Sequence, residues 1–251
     1  MGNHERKNAV VFGGSSGIGL ATAHLLCDQG VRVTVADVKE PCESLNGCSR
    51  WIRCDVRDAY QIDKALQKAT EEMSLDWLVY SAGIQRYGSV VSTPVEEYDL
   101  VQQINARGAF LACKAAIPRM KNGGAIVLVS SVQAVACQEG VAAYAASKGT
   151  LEALTRAMAV DHARENIRVN SVLPGTVDTP MVRSSAERFR GNGSSELVLE
   201  QWGNSYPVAR IARPYEVACV ISFLLSDEAS FLTGASYRVD GGLLAQLPVR
   251  L

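Results

Sequence analysis

Four apolar residues, Ala9-Val-Val-Phe12, run directly into Gly13-Gly-Ser-Ser-Gly17-Ile-Gly19, and an amphipathic stretch follows until Gly30 stops it. No other stretch of the chain limits the possible folds as strongly. A short apolar run without alternation is the pattern of a strand buried on both faces, as in parallel sheets. A glycine turn that feeds a helix points the helix N–H groups and the positive end of its dipole at one spot, which suits a phosphate. Glycine is needed there because a Cβ would block both the turn and the approach of a pyrophosphate. A glycine triplet alone fits many flexible turns; its position after an N-terminal strand is what gives it weight.

The pattern then repeats. Val31–Ala36 reads as a second strand ending at Asp37, and Trp51–Cys54 as a third ending at Asp55. A helix is expected from Ala59 to Glu72, and a fourth strand, Trp77–Tyr80, runs into Ser81-Ala82-Gly83. Pro94 opens a helical pattern that continues through Asn105 to about Met120. Ala125–Val129 is the central apolar strand, and Tyr144 to about Ala163 is a long helix ending at His162, read as a cap or surface residue. Ile167–Leu173 gives a sixth strand, closed by Pro174-Gly175, and Pro214 begins a last helix to about Ser226. Ser236–Val239 closes the series. Between Thr179 and Tyr206 the chain turns polar, glycine-rich and weakly periodic, which reads as a mobile substrate lid.

Alternating strands and helices, with no repeat or linker, imply one α/β domain over residues 1–251. The expected architecture is a Rossmann-type, doubly wound parallel sheet of about seven strands flanked by helices. Such sheets bind ligands outside the carboxyl ends of their strands. Gly13, Asp37, Asp55, Ala82, Ser131 and Pro174 all fall at those ends.

Composition narrows the function. The 251 residues are 47% hydrophobic and 20% charged with net charge −1, and the basic residues are scattered, so no nucleic-acid surface is expected. No apolar run reaches the ~18 residues of a membrane helix, and the polar start MGNHERKN has no signal-peptide core. Gly2 lacks the downstream Ser or Thr of a myristoylation signal. Seven cysteines, odd in number and without a CxxC, together with only three histidines, favour buried, reduced thiols in a cytoplasmic protein. Neither a disulfide frame nor a metal site is expected.

The chemistry concentrates between Ser130 and Lys148. Tyr144 and Lys148 stand at i and i+4 on one helical face, and Ser131 precedes the tyrosine by thirteen residues. A free phenol, with pKa ~10, is a poor base at neutral pH. An ammonium ~5 Å away at an effective dielectric of ~20 favours the phenolate by ~3 kcal/mol, or ~2 pK units. A tyrosine so tuned can take a proton from an alcohol, with Ser131 placed to hydrogen-bond the same oxygen.

From Asn8 to Gly242 the chain resembles a short-chain dehydrogenase/reductase of the compact type. The motifs that carry the resemblance are GGSSGIG from Gly13 to Gly19, Asp55-Val56, Asn105, Ser131, YAASK from Tyr144 to Lys148, PGTVDTP from Pro174 to Pro180, and DGG from Asp240. The resemblance implies a catalytic tetrad of Asn105, Ser131, Tyr144 and Lys148. In it Tyr144 is the acid/base, Ser131 positions the substrate oxygen, Lys148 holds the nicotinamide ribose, and Asn105 supports a water linked to Lys148. It also implies a cofactor site of Gly13, Ser15, Ser16, Gly17, Ile18, Gly19, Asp37, Asp55, Val56, Ser81, Ala82, Gly83, Tyr144, Lys148, Pro174, Gly175, Val177 and Thr179. Two departures stand out: Phe12 replaces the usual threonine, and Tyr80-Ser81 replaces a pair of asparagines. Both lie at the ends of neighbouring strands and read as a local alternative packing that bears on cofactor affinity.

The expected activity is NAD-dependent interconversion of an alcohol and a ketone. Asp37 favours NAD over NADP, because a carboxylate accepts hydrogen bonds from the ribose hydroxyls and repels a 2′-phosphate. Gln133, Gln138, Arg183 and Trp202 suggest a small polar substrate: a polyol, sugar or hydroxy acid. Apolar or aromatic ketones are the alternative, and a cofactor-binding regulatory protein without turnover is the rival from another class. An epimerase or dehydratase would need a larger C-terminal domain. A homotetramer is expected from the resemblance and from the small residues in the helices around Asn105–Met120 and Tyr144–Ala163.

Overall fold

The computed structural model describes residues 7–41 and 49–247; Gly2, Cys42 and Cys48 lie outside the described residues. Seven strands, β1 (Asn8–Phe12), β2 (Arg32–Asp37), β3 (Ser49–Arg53), β4 (Trp77–Tyr80), β5 (Gly124–Val129), β6 (Ile167–Pro174) and β7 (Ser236–Val239), form one sheet in the order β3-β2-β1-β4-β5-β6-β7. Every neighbouring pair is parallel. β1, β4 and the last five residues of β5 are buried throughout, as their unbroken apolar runs require.

One face of the sheet packs on α2 (Ala59–Ala69), α4 (Gly108–Ala116) and α5 (Ala142–Asp161), burying Leu78, Ile126, Leu128, Leu66 and Leu151. The other packs on α1 (Gly17–Asp28) and α8 (Pro214–Leu225), burying Val33, Val79, Val127, Leu26 and Ile221. Helix ends are tied to the sheet by specific groups. Asp58 caps α2 by accepting from Tyr60 N–H at 2.9 Å. The Arg168 guanidinium of β6 donates to the carbonyls of Leu224, Leu225 and Ser226, which satisfies the open end of α8.

Three expectations need correction. The helix expected from Pro94 to Met120 is not uniform: α3 (Val95–Val101) passes through a π-helical turn, Gln102–Arg107, before α4 begins. Nothing in residue periodicity marks such a turn. The stretch read as an irregular insertion forms two helices, α6 (Pro180–Phe189) and α7 (Ser195–Gly203). Their small core of Ala186, Val198 and Leu199, backed by Val182 and Trp202, is what the polar composition concealed. Among the described cysteines, Cys54 and Cys113 are buried free thiols as expected and Cys27 is buried, but Cys137 and Cys219 are exposed.

Candidate active site

Parallel pairing sets all the strand ends at one edge, and a cleft of about 570 Å³ opens there. It is lined by Gly13, Asp37, Asp55, Ala82, Ser131 and Pro174, one residue from the end of each of the first six strands. Ser16, Gly17, Ile18, Val56, Ser81, Gly83, Tyr144, Lys148, Gly175, Val177 and Thr179 also line it.

At one end the glycine turn forms a cradle. Gly13 and Gly17 have positive φ, +74° and +55°. A Cβ on Gly13 would lie 2.4 Å from the Ala82 nitrogen, and one on Gly19 would lie 2.1 Å from the Gly13 carbonyl oxygen. Gly19 thus serves the packing of helix against turn and does not face the cleft. α1 begins with no side-chain cap and no acidic residue in its first turn, so its leading N–H groups and dipole are left for an anion. Ser15 also faces inward: its hydroxyl donates to the Lys39 carbonyl at 2.5 Å, and its N–H donates to Asp37 Oδ2 at 3.1 Å. The Lys39 N–H donates to the other Asp37 oxygen at 3.1 Å. Two backbone donors therefore fix the Asp37 carboxylate at the rim, with lone pairs left for a ligand. These features fit a dinucleotide: an open anion cradle, a close backbone approach, and an oriented carboxylate at the adenosine end.

The other end carries the titratable groups. β5 delivers Ser131, whose Oγ accepts from the Gln133 N–H at 3.2 Å. The first turns of α5 present Tyr144 and Lys148, the latter buried. The Lys148 ammonium donates to the Val129 carbonyl at 2.8 Å and stands 5.4 Å from the centre of the Tyr144 ring. Burial in the cleft pushes the Tyr144 phenol up to about 12, against a hydrogen bond with Ser131 that pulls it down. Burial also pushes Lys148 down to about 8, which the Glu152 carboxylate partly resists. The reading from charge alone, a phenol lowered by ~2 units, is overturned for the protein without ligand. The desolvation cost exceeds what one ammonium supplies.

Asn105 is not on the cleft wall but fully buried behind it. Its carboxamide accepts from Ile84 N–H at 2.8 Å, donates to the Ile84 carbonyl at 2.9 Å and donates to Ser147 Oγ at 3.0 Å. At Asp55, Arg57 forms a bidentate ion pair, with Nη2 at 2.6 Å from Oδ2, and this holds the carboxyl below its usual range. Phe12 and Tyr80, the two departures, are register partners on β1 and β4, with ring centres 6.1 Å apart.

The four substrate candidates are scattered. None of Gln133, Gln138, Arg183 and Trp202 lines the cleft. Arg183 is engaged by Asp178 at 2.6 Å, Trp202 packs near Phe189 with ring centres 6.5 Å apart, and Gln138 is exposed. The walls that sequence reading did not name include Ile84, Arg86, Leu100, Ile104, Met181 and Val182. Ile84 follows the strand-end Gly83 directly, and Met181 and Val182 follow the Thr179-Pro180 helix start, so position relative to those motifs was the available signal.

A doubly wound parallel sheet whose strand ends bring a glycine cradle and a Ser, Tyr and Lys to one cleft defines a Rossmann-type protein. The chain belongs to the short-chain dehydrogenase/reductase family. The model of a family described as enoyl-(acyl carrier protein) reductase matches residues 13–244. The cis-4-hydroxycyclohexanecarboxylate dehydrogenase of Sinomonas cyclohexanicum is 38% identical, over 94% of this chain and 96% of its own length. Among solved structures, ligand-free aldohexose dehydrogenase of Thermoplasma acidophilum superposes with a TM-score of 0.94 at 36% identity, covering 98% of this chain and 97% of that one. The F189W form of actinorhodin polyketide ketoreductase with NADPH superposes at 0.89 and 29% identity, covering 94% and 97%.

Proposed function

We propose that the protein is an NAD-dependent oxidoreductase that interconverts a secondary alcohol and a ketone. The observation that carries this reading is the convergence of Ser131, Tyr144 and Lys148 on one wall of the cleft whose far rim holds the Asp37 carboxylate. The Gly13–Gly19 turn would hold the pyrophosphate, Asp37 the adenosine ribose, and Lys148 the nicotinamide ribose. Val177 and Thr179 would close over the nicotinamide. When bound, the nicotinamide supplies the hydride acceptor or donor.

The chain's own residues handle the proton. In carbonyl reduction Tyr144 is already protonated and its Oη donates to the substrate oxygen, while Ser131 Oγ hydrogen-bonds the same atom and stabilises the developing charge. In oxidation the phenolate must form first. The Lys148 ammonium, together with positive charge gathered in the loaded site, opposes the burial that raises the phenol. Asn105, pinned between Ile84 and Ser147, would order the polar path behind Lys148.

A small polar substrate is the better-supported choice. The aldohexose dehydrogenase and the cis-4-hydroxycyclohexanecarboxylate dehydrogenase are both named for substrates with polar groups besides the reacting carbon. The second reading, apolar or aromatic ketones, is favoured by Ile84, Met181 and Val182 in the cleft wall. A screen of polyols, sugars, hydroxy acids and aromatic ketones, followed by NADH absorbance, separates the two. No turnover with any of them alongside tight NADH binding would favour a regulatory protein instead.

We take the working form to be a cytoplasmic homotetramer. Free Cys137 and Cys219 on the surface suit a reducing compartment, and no described helix is long and apolar enough to cross a membrane. Phe110 of α4 and Val160 of α5 are exposed, and the Cα of Gly149 faces open space, as close packing between subunits requires.

A further inference from the structure

The Tyr80 side chain is fully buried at the end of β4, and its hydroxyl donates to the Ile104 carbonyl at 2.5 Å. Ile104 lies inside the π-helical turn Gln102–Arg107. A π turn breaks the regular i to i+4 ladder and redirects its carbonyls, so an outside donor can fix its shape. The next residue is Asn105, whose carboxamide is pinned to both backbone groups of Ile84 and to Ser147. A Cβ on Gly83 would touch Asn105 Oδ1 at 3.4 Å and Lys148 Nζ at 3.6 Å, so these two side chains flank the same glycine.

We propose that Tyr80 is a positioning residue of the active site: its hydroxyl clamps the π turn and thereby sets Asn105 against Gly83 and Lys148. The phenol is fully buried and absent from the cleft wall. Its ring is held by Phe12, and its oxygen occupies the space that Gly108 leaves by lacking a side chain. The two departures from the family pattern thus form one strut, running from the core of the sheet to the group behind Lys148. This inference rests on the oxidoreductase reading of Tyr144 and Lys148.

The test is Tyr80→Phe, which keeps the ring and removes one oxygen. The expected result is a kcat about tenfold lower, with the dissociation constant for NADH, measured by fluorescence, within twofold of wild type. The midpoint of the kcat–pH profile should move by about half a unit or more. Hydrogen exchange should rise across residues 102–108 and not in β5. Ile62→Val is the control: it loosens the same core cluster without touching the Tyr80 ring or hydroxyl, and should lower thermal stability while leaving kcat and its pH profile in place. Ser147→Ala, which removes the other side-chain anchor of Asn105, should give a smaller kcat loss of the same kind, and it answers the question if Tyr80→Phe fails to fold. Unchanged kcat and pH profile in Tyr80→Phe, or in Ser147→Ala where that stands in, overturns the proposal. So does an equal kcat loss in Ile62→Val. Tyr144→Phe belongs in the same series: if it retains turnover, the oxidoreductase reading fails with everything built on it. If Tyr144→Phe is inactive and Tyr80→Phe is normal, only the strut falls.

Discussion

Gly108 and Tyr80 are a matched pair: a Cβ on Gly108 would lie 2.3 Å from the Tyr80 hydroxyl oxygen. Such an approach is far inside van der Waals contact, and both groups are buried, so neither can move aside cheaply. Gly108→Ala should therefore destabilise the protein by about 1–3 kcal/mol. In the Tyr80→Phe background the cost should be smaller, with a coupling of at least about 0.5 kcal/mol. Rescue is expected to be incomplete, because the same Cβ would also stand 3.1 Å from Val56 Cγ2. Urea denaturation of the four proteins in this cycle measures the coupling; additive losses would mean the hydroxyl is not what Gly108 accommodates.

That pairing also marks where sequence reading reaches its limit. Most of the strands were legible because they are short apolar runs, β1, β4 and β5 above all, and parallel order followed from the helices between them. The six strand-end residues were legible as one site for the same reason: a parallel sheet has a single carboxyl edge. Tyr80 looked like a mere departure, because its partner Ile104 is 24 residues away and sits in a π turn that periodicity does not report. α6 and α7 were hidden by their polar faces, although Thr179-Pro180 and Ser194 are ordinary helix starts. The direction of the Tyr144 shift was misjudged because a sequence displays charges and spacings but not the burial that outweighs them here.

Tyr144→Phe should reduce turnover by at least about 10³-fold while NADH binding stays within a few fold, since the phenol serves proton transfer. Lys148→Ala should damage both turnover and binding, because its ammonium is proposed to hold the ribose. Near-normal turnover in Tyr144→Phe would remove the tyrosine from the chemistry.

Cofactor affinity should depend on pH through Lys148. Its folded pKa is pushed down from the ordinary lysine value to about 8, so the ammonium is present below about pH 8 and lost above it. The charged form is the one that donates to ribose hydroxyls, so NADH should bind most tightly below pH 8 and weaken by up to about tenfold per unit above it. Glu152→Gln should move the midpoint to lower pH, because that carboxylate supports the charge. Fluorescence titration between pH 6.5 and 9.5 reads both effects. A flat affinity over that range would mean that Lys148 is not what holds the ribose.

Light scattering at micromolar concentration should return four times the 26.9 kDa chain mass. Phe110→Asp, on the exposed face of α4, should shift the population towards smaller species if that face is buried between subunits. A wild-type mass equal to one chain would end the tetramer proposal.

The cofactor should be NAD in preference to NADP. Asp37 is oriented by the N–H groups of Ser15 and Lys39, so its carboxylate cannot swing away from a ligand without losing both bonds. Against the two ribose hydroxyls it accepts hydrogen bonds. Against a 2′-phosphate of charge about −1.5 to −2 it repels. Ser16 and Val38, the neighbours best placed to compensate, are neutral, and Lys39, which also lines the cleft, softens the repulsion without reversing it. A cost of about 2 kcal/mol corresponds to a preference of roughly 30-fold in kcat/KM. Asp37→Ser removes the charge while keeping a small polar side chain, and should narrow that gap mainly by improving KM for NADP. Equal efficiency with the two cofactors in the wild-type protein would refute the role given to Asp37, and so would an Asp37→Ser variant whose preference is unchanged.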